Sequence, residues 1–270
     1  DFVVTPPAHR FDLAIEEDFV EEVARIHGYD RIPAVPRAHV QHMLPDPEGR
    51  RSRHVVKRTL ANLDWQEVVT FGFVSSATES ALDPSANPVG VRNPIAAHLD
   101  VMRTSLLPGL IETLKTNVNR RATRARAFEL GRTFRRTEAG YDQPERLGGL
   151  AFGPADPEQW GEATRDVDFF DVKGDLEALA APRHLVTRKC LHPALHPGRS
   201  ADVVIGGRTV GWIGELHPRL TRLFDLPKAP VVFELDVDPL TEGALPAGQA
   251  VSRLPVVRRD LALVVAEDLP

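Results

Sequence analysis

Three groups of side chains in this sequence could do chemistry. The first is acidic: Asp12, Glu16, Glu17, Asp18, Glu21 and Glu22. A helix would set Asp18, Glu21 and Glu22 on one face, because they lie at i, i+3 and i+4. Glu17/Glu21 and Asp18/Glu22 are then like-charge i,i+4 pairs, which repel. A cation would relieve them, and Mg²⁺ takes carboxylate oxygens. A solvated acidic face favouring a helix N-terminus is the alternative, and spacing alone favours it. The second group is Cys190, His192 and His196. It is zinc-like only superficially. Pro193 and Pro197 disfavour a helical His pair, and no fourth ligand stands at a fixed spacing, so turn residues are the better reading. The third is basic: Arg120, Arg121, Arg124 and Arg126, then Arg132, Arg135 and Arg136. Such a cluster could meet phosphates, a solvent face or a subunit contact, and spacing does not choose among them.

Standard catalytic spacings are absent. The sequence holds no Gly-x-x-x-x-Gly-Lys, no Gly-x-Ser-x-Gly and no His-Glu-x-x-His, so no self-contained active site is legible. The 270 residues are 42% hydrophobic and 26% charged. That is enough chain for one large domain or two ordinary ones, and the composition excludes collagen, a disordered tail and a disulfide scaffold. The single Cys190 cannot form an internal bridge, which suits a reducing cytoplasm. Apolar runs fall far short of the roughly 20 residues of a membrane-spanning helix. Asp1-Phe2-Val3-Val4 does not open like a signal peptide. A net charge of −5 argues against nucleic acid covering the whole surface, though a local basic patch remains open. The start without Met, and the end on Asp268-Leu269-Pro270 after a strand-like Leu261 to Val265, lead us to expect a fragment.

The elements that must position these groups follow from periodicity. Phe2 to Val4 reads as a strand end. Phe19, Val20, Val23, Ala24 and Ile26 follow a helical period from Glu16 to Gly28, with Gly28 placed to end it. Residues 33 to 47 carry four prolines and read as a linker. Val55, Val56, Leu60 and Leu63 give the next helix an apolar face opposite Arg50, Arg51, Arg53, Lys57 and Arg58. Gln66 to Val74 alternates as a strand, and Ser75-Ser76 caps a short helix to Leu82. Leu106 to Asn119 is a helix with Pro108 in its first turn. Further strands are expected at Ala125–Leu130, Thr133–Arg136, Leu147–Phe152, Leu185–Cys190, Ala201–Ile205, Thr209–Leu216 and Val231–Val237. Helices are expected at Phe169–Ala181 and Pro218–Phe224. Clustered strands with occasional helices imply an α+β fold built on an antiparallel sheet flanked by helices.

Long runs resemble one family. Arg10 to Pro33 (RFDLAIEEDFVEEVARIHGYDRIP) looks like the end of a small domain in the β subunit of bacterial phenylalanine–tRNA ligase. Met102 to Leu110 (MRTSLLPGL) resembles a second hallmark of that chain. Phe128 to Phe134, His196 to Ala201 and Gly211 to Pro218 are further matches. Leu254 to Val265 is similar to the opening of its C-terminal ferredoxin-like anticodon-binding domain. The resemblance implies a class II aminoacyl-tRNA synthetase-like core that is catalytically degenerate. It implies an α2β2 enzyme joining phenylalanine to tRNA(Phe) with ATP, in which the α subunit holds the active site and the β core serves as scaffold. It also implies Mg²⁺ shared with the α subunit, on acidic residues matching Asp12, Asp18, Glu21 and Glu22. Gly131-Arg132-Thr133-Phe134-Arg135 has the look of the strand that grips an α-phosphate. The His/Phe/Glu companion expected downstream is replaced by Gly140-Tyr141-Asp142-Gln143-Pro144, and no Gly-x-Gly-x-x-x-Arg occurs.

The resulting expectation is an ATP-dependent ligase subunit, cytoplasmic and without membrane contact, inactive alone. Residues 1–40 would end a helical metal-contacting domain, 41–250 form the synthetase-like core and 251–270 open the anticodon-binding domain. Metal would lie at Asp12, Asp18, Glu21 and Glu22, and tRNA at Arg120, Arg121 and Arg124, with no catalytic residue. The alternatives are a free-standing Mg²⁺-dependent phosphotransfer enzyme and a tRNA-binding module.

Overall fold

A computed structural model describes residues 2–35, 48–138, 140–243, 248, 253–255 and 257–266. The chain divides into two compact units, Asp1–Asp46 and Pro47–Pro270, within the stretch read as a linker. The first unit contains α1 (Glu16–His27), closed by Gly28 at φ +96 and followed by a 3₁₀ turn over Tyr29–Arg31. A positive φ favours glycine at that helix end. No residue of α1 is buried.

The second unit runs in the order α2 (Arg53–Asn62), β1 (Gln66–Glu67), β2 (Phe73–Val74), α3 (Ser76–Leu82), β3 (Val101–Met102), α4 (Leu107–Asn119), β4 (Ala125–Arg132), β5 (Arg135–Thr137), β6 (Gly140–Asp142), β7 (Glu145–Phe152), α5 (Phe169–Ala180), β8 (Leu185–Lys189), β9 (Leu195–Ile205), β10 (Arg208–Leu216), α6 (Pro218–Leu223), β11 (Val231–Asp236) and α7 (Val237–Thr241). Its main sheet has seven strands in the order β1-β4-β7-β11-β10-β9-β8. All neighbours are antiparallel except β1 on β4. The expected sheet is therefore present, with one parallel edge.

Alternation along the strands gives this sheet two buried faces. Phe128, Leu147, Ala151, Val203, Ile213, Val231, Phe233 and Leu235 share one core with Val56 and Leu60 of α2 and Val172, Leu176 and Leu179 of α5. Ala127, Leu150, Phe152, Leu195, Leu216 and Val232 share the other with Leu107, Leu110, Ile111 and Leu114 of α4 and Leu220 of α6. Local chemistry starts the helices as the residues dictate. Ser52 accepts from the Val55 N–H at 3.3 Å, and Asp168 Oδ1 accepts from Phe170 and Asp171 while Asp171 returns a bond to the Asp168 N–H. Pro108 occupies the first turn of α4.

Several expectations need correction. Gln66 to Val74 is not one strand. Thr70 is drawn to Glu129, and the Gly72 carbonyl accepts the Arg103 N–H, so the chain leaves the ladder between β1 and β2. β9 starts at Leu195, so His196 lies in a strand and not a turn. β3, β6 and α7 were not read from sequence. Phe2 to Val4 and Leu261 to Val265 are exposed and form no strand, as isolated extended segments have no ladder to join.

Two adjacent glycines let the layers close. A Cβ on Gly148 would lie 2.9 Å from Leu106 Cβ and 3.2 Å from Leu110 Cδ1; one on Gly149 would lie 2.2 Å from Phe233 Cε1 on the opposite face. By contrast Gly174, inside α5, has nothing within 4 Å of its added Cβ. Gly148→Ala should therefore lose about 1–3 kcal/mol through overpacking. Gly174→Ala should gain about 0.5–1 kcal/mol from helix propensity. Paired urea unfolding curves at constant slope test both signs.

Candidate functional site

The chemistry-bearing centre of the second unit is a row across three strands. Glu129 of β4 and Glu234 of β11 both register against Gly148 of β7. Alternation therefore places both carboxylates on the face covered by α4, and both are almost fully buried. Each is consumed by the segment leading into α4. Arg103 Nη1 reaches Glu129 Oε1 at 2.8 Å and Thr70 Oγ1 at 2.9 Å, while its Nε donates to the Arg132 carbonyl at 2.9 Å. Thr70 Oγ1 donates to Glu129 Oε2 at 2.6 Å. Ser105 Oγ and the Leu106 N–H both donate to Glu234 Oε2, at 2.6 and 2.7 Å. Glu79 of α3 is also buried; it accepts the Thr104 N–H at 3.1 Å and pairs with the Thr104 hydroxyl. The run Arg103-Thr104-Ser105-Leu106 is thus clamped by three separate glutamates.

This clamp decides what that sheet face can do. Leu106 and Leu110 rest directly on Gly148, and Leu114, Leu150 and Val232 complete a dry layer. The carboxylates beside that layer accept structural hydrogen bonds and do not open onto a substrate. Arg132 bonds the Gln143 carbonyl at 3.3 Å, while Arg135 is exposed in β5 opposite Asp142. Two open hollows of about 430 and 670 Å³ flank α4, and neither is lined by Arg132 or Arg135. Glu79, Glu129 and Glu234 were missed as site residues by sequence reading. For Glu129 and Glu234 the signal was present, since Phe-Glu-Leu occurs twice, at 128–130 and 233–235; Glu79, in α3, had none of this kind. Each Phe-Glu-Leu places a lone carboxylate at an inward position of an apolar strand.

The acidic group of the first unit is organised differently. Asp18 Oδ2 accepts the Ala14 and Ile15 N–H groups at 2.8 and 2.9 Å. These bonds hold its carboxyl below the usual range. Arg10 bonds Asp12 through two nitrogens and also reaches Glu22; Arg25 takes the other Glu22 oxygen. Glu21 is exposed and has no partner among the described residues. Among the described residues no group of three or more His, Cys, Asp or Glu side chains is arranged to hold a metal ion. The four expected ligands share one unit, but in this chain alone they do not form a fit for Mg²⁺.

The basic group splits. Arg124 pairs with Asp64 at 2.6 Å and donates to the Pro154 and Ala155 carbonyls at 3.1 Å; Arg126 pairs with Asp175 at 2.7 Å and lies over Trp65. Both pin the chain after β7. Arg120 and Arg121 are exposed at the end of α4, with Arg121 at φ +67. The histidines are committed too. Nδ1 of His192, His196 and His217 accepts the N–H of Ala194, Gly198 and Arg219 at 3.2, 3.0 and 3.0 Å. A neutral ring accepting at Nδ1 carries its proton on Nε2, the state opposite to an Nε2 metal ligand. His192 also packs on Trp212 with ring centroids 4.6 Å apart, and burial lowers its pKa. Burial raises the Cys190 thiol.

Comparison with known proteins identifies this architecture. The family described as "Phenylalanyl tRNA synthetase beta chain CLM domain" matches residues 32–237. The chain belongs to that family. The "tRNA synthetase B5 domain" matches residues 1–29. The phenylalanine–tRNA ligase beta subunit of Burkholderia lata is 54% identical over 273 residues, covering 98% of this chain and 34% of that protein. Its Bordetella pertussis counterpart is 51% identical over 281 residues, covering 100% and 35%. The chain thus spans about a third of the length of the curated relatives it matches. A solved structure of Desulfitobacterium hafniense PylSc, a pyrrolysyl tRNA synthetase, shares the fold at a TM-score of 0.50 and 16% identity, covering 69% of this chain and 63% of that one. The synthetase-like α+β core expected from the family resemblance is the fold present, and the β-chain CLM domain places its Glu129-Gly148-Glu234 row in the middle of it.

The CLM clamp carries a pH signature. Burial holds the Glu79 carboxyl above the usual range, and the Glu234 carboxylate adds to the shift. The folded chain then binds that proton more tightly than the unfolded chain does. The stabilisation is present at low pH and is lost as pH rises from the unfolded pKa through the folded one. Glu79→Gln retains an acceptor for the Thr104 N–H and removes the titration. Its urea midpoint should exceed that of the unmodified chain at about pH 8, with the gap closing toward about pH 4. A pH-independent gap would refute the assignment.

Proposed function

We propose that this chain is the scaffolding portion of a phenylalanine–tRNA ligase β subunit. In this reading it binds the catalytic α subunit within a cytoplasmic α2β2 enzyme and does not itself carry the joining of phenylalanine to tRNA(Phe). The observation that carries the reading is the closed sheet face. Leu106 and Leu110 lie on Gly148, and the flanking carboxylates are spent on residues 103–106. A class II-like sheet needs that face open for ATP and an amino acid; here it is a core, and a fold can outlast its site. No helix among the described residues is long and apolar enough to cross a membrane.

The Mg²⁺ implied by the resemblance would use Asp12, Asp18, Glu21 and Glu22. In this chain alone Asp12, Asp18 and Glu22 are committed to Arg10, Arg25 and the Ala14 and Ile15 N–H groups, so no step here depends on that ion. For tRNA, exposure supports Arg120 and Arg121 as contacts in the assembly. The pairing of Arg124 with Asp64 supports a structural role for that residue instead. The terminal segment from residue 251 fits the start of an anticodon-binding domain by resemblance alone.

The chain alone should show no phenylalanine-dependent ATP–pyrophosphate exchange and should co-elute with the α subunit in size-exclusion chromatography with light scattering. Exchange activity by the isolated chain would overturn the scaffold reading. In the assembled enzyme, Arg121→Ala should weaken salt-dependent tRNA binding without lowering the melting temperature. Arg124→Ala should lower the melting temperature.

A further inference from the structure

The main sheet has an open corner where its parallel edge is shortest. β1 lies beside β4 only over Gln66 and Glu67, which register against Ala127 and Phe128. β4 starts earlier, at Ala125, and the hollow of about 430 Å³ opens there, between the α2–β1 turn and α4. Leu114, Ala127 and Leu150 give it an apolar lining at the end of the α4 core. Its polar lining differs in how much of it is spent. Asp64 and Arg124 pair with each other, and Arg124 also takes two carbonyls. The Gln66 amide makes no hydrogen bond among the described residues, and Asn117 uses only Nδ2, on the Thr113 carbonyl, which leaves its Oδ1 open. The rim is cationic. The connection from α4 to β4 folds back on the hollow, since the Asn117 carbonyl accepts the Arg120 and Ala122 N–H groups, both at 3.0 Å. Arg120 and Arg121 are thereby carried between two lining residues, Asn117 and Arg124, exposed and with no carboxylate partner among the described residues. Three non-glycine residues among those described have a positive φ, and two border this corner: Asp64 at +66 and Arg121 at +67. Such strain persists only where its surroundings hold it, and it gathers at ligand sites.

A ligand for this corner must bring three things: an anionic group for the rim, hydrogen-bonding edges for the two free amide groups, and a flat apolar face for the leucine and alanine lining. A nucleoside phosphate unit brings all three. Guanidinium donors match phosphate oxygens in pairs, and Gln and Asn amides match the donor and acceptor edges of bases. The hollow falls within the range of small-ligand sites, about 300–1,000 Å³. A carboxylate side chain offers the charge but no ring edge for the amides. We infer that the hollow binds one nucleoside phosphate unit, with its phosphate on Arg120 and Arg121 and its base beside Gln66 and Asn117. The run that resembles a phosphate-gripping strand starts near Arg132, at the other end of β4. It lies roughly 16 Å from Ala127 at about 3.3 Å per residue, so this is a separate site. The unit can come from a free nucleotide or from an unpaired position of an RNA chain. Only the second source rests on the reading of Arg121 as a tRNA contact. Mononucleotide binding is measured on this chain, and that reading on tRNA in the assembled enzyme, so the two fail separately.

Calorimetry of this chain with adenosine monophosphate, adenosine and inorganic phosphate tests the halves of the site separately. The monophosphate should bind at least about tenfold more tightly than either half, because each half contributes its own contacts. Arg120→Ala/Arg121→Ala should weaken the monophosphate about tenfold and leave adenosine unchanged, and added salt should do the same in kind. Gln66→Ala should weaken adenosine and the monophosphate and spare phosphate. In the unmodified chain, amide resonances of Gln66, Asn117 and Ala125 should shift on titration, which locates the ligand whatever a variant does to folding. Monophosphate binding no tighter than phosphate, binding indifferent to the double variant, shifts confined to other residues, or tighter binding of a glutamate hexapeptide overturns the proposal. An adenylate hexanucleotide distinguishes the sources. Binding tighter than the monophosphate, with the same resonances shifted, assigns the site to a nucleotide within a chain; equal binding assigns it to a free one, and either outcome supports the site.

Discussion

A single row of residues fixes how the layers of the second unit meet. Glu129, Gly148 and Glu234 stand side by side on β4, β7 and β11. The glycine removes the side chain on which α4 would otherwise ride up, and the glutamates seize the polar groups of the segment that delivers α4. One row down the strands, Phe128, Gly149 and Phe233 repeat the arrangement on the opposite face, with Trp65 edge-on to Phe233 at 5.4 Å between ring centroids. Large, small, large on one face and acid, small, acid on the other is a self-consistent register. A slip by one residue would exchange the two sets and bury phenylalanine against Arg103. The polar half of the device specifies position more than it adds stability. Buried ion pairs such as Arg103–Glu129 recover little beyond their own desolvation, but leaving either partner alone costs several kcal/mol by about the same physics.

The same row decides how the polar groups on this face of the synthetase-like sheet are used. An open face on an antiparallel sheet is useful for binding a nucleotide only if its polar groups are poised and unspent. In this chain the carboxylates on that face are saturated by Arg103, Ser105, Leu106 and Thr70, and the apolar remainder is sealed by leucines. In the run that resembles a phosphate-gripping strand, Arg132 bonds the Gln143 carbonyl and Arg135 is exposed in a small hairpin opposite Asp142. The face is held by packing and by local hydrogen bonds, neither of which requires a ligand.

Much of the fold was legible because it follows from period and caps. Pro108 and the apolar positions of α4 set that helix to within one residue, and β7, β8, β10 and β11 follow from apolar alternation between turns. Where reading failed, a long-range polar contact overrode local propensity. Thr70 has strand-like neighbours yet turns to Glu129, far along the sequence, and the strand breaks there. β9 begins early because Leu195 pairs with Leu216 across a register shift, a tertiary fact with no local signal. The site was less legible. A carboxylate between two apolar residues in a strand says that something must satisfy it, but not that Arg103 or Ser105 will. Spacing in the acidic helix allows a solvated face or a bound cation and does not name the side chain that pairs with it. The pairing of Arg10 with Asp12 and Glu22 had no signal beyond proximity in sequence.

Arginine usage ties these observations together. Arg10, Arg103, Arg124 and Arg126 each bridge a carboxylate and at least one further acceptor or ring. A guanidinium can do this because it presents several donors in a fixed plane and does not lose its proton on burial. A cluster of arginines in sequence therefore predicts phosphate contact poorly until their carboxylate partners are known. Arg124 and Arg126 sit in the middle of the basic run yet are spent on Asp64, Asp175 and the chain after β7. Arg120 and Arg121 lie just before them and remain turned to solvent. The division follows from strand geometry: Arg126 lies within β4 and Arg124 immediately before it, where both reach the neighbouring strand's exit. The two at the end of α4 face no carboxylate among the described residues. If this surface meets an anionic partner, the encounter falls to the helix terminus, and the strand arginines keep the platform beneath it in place.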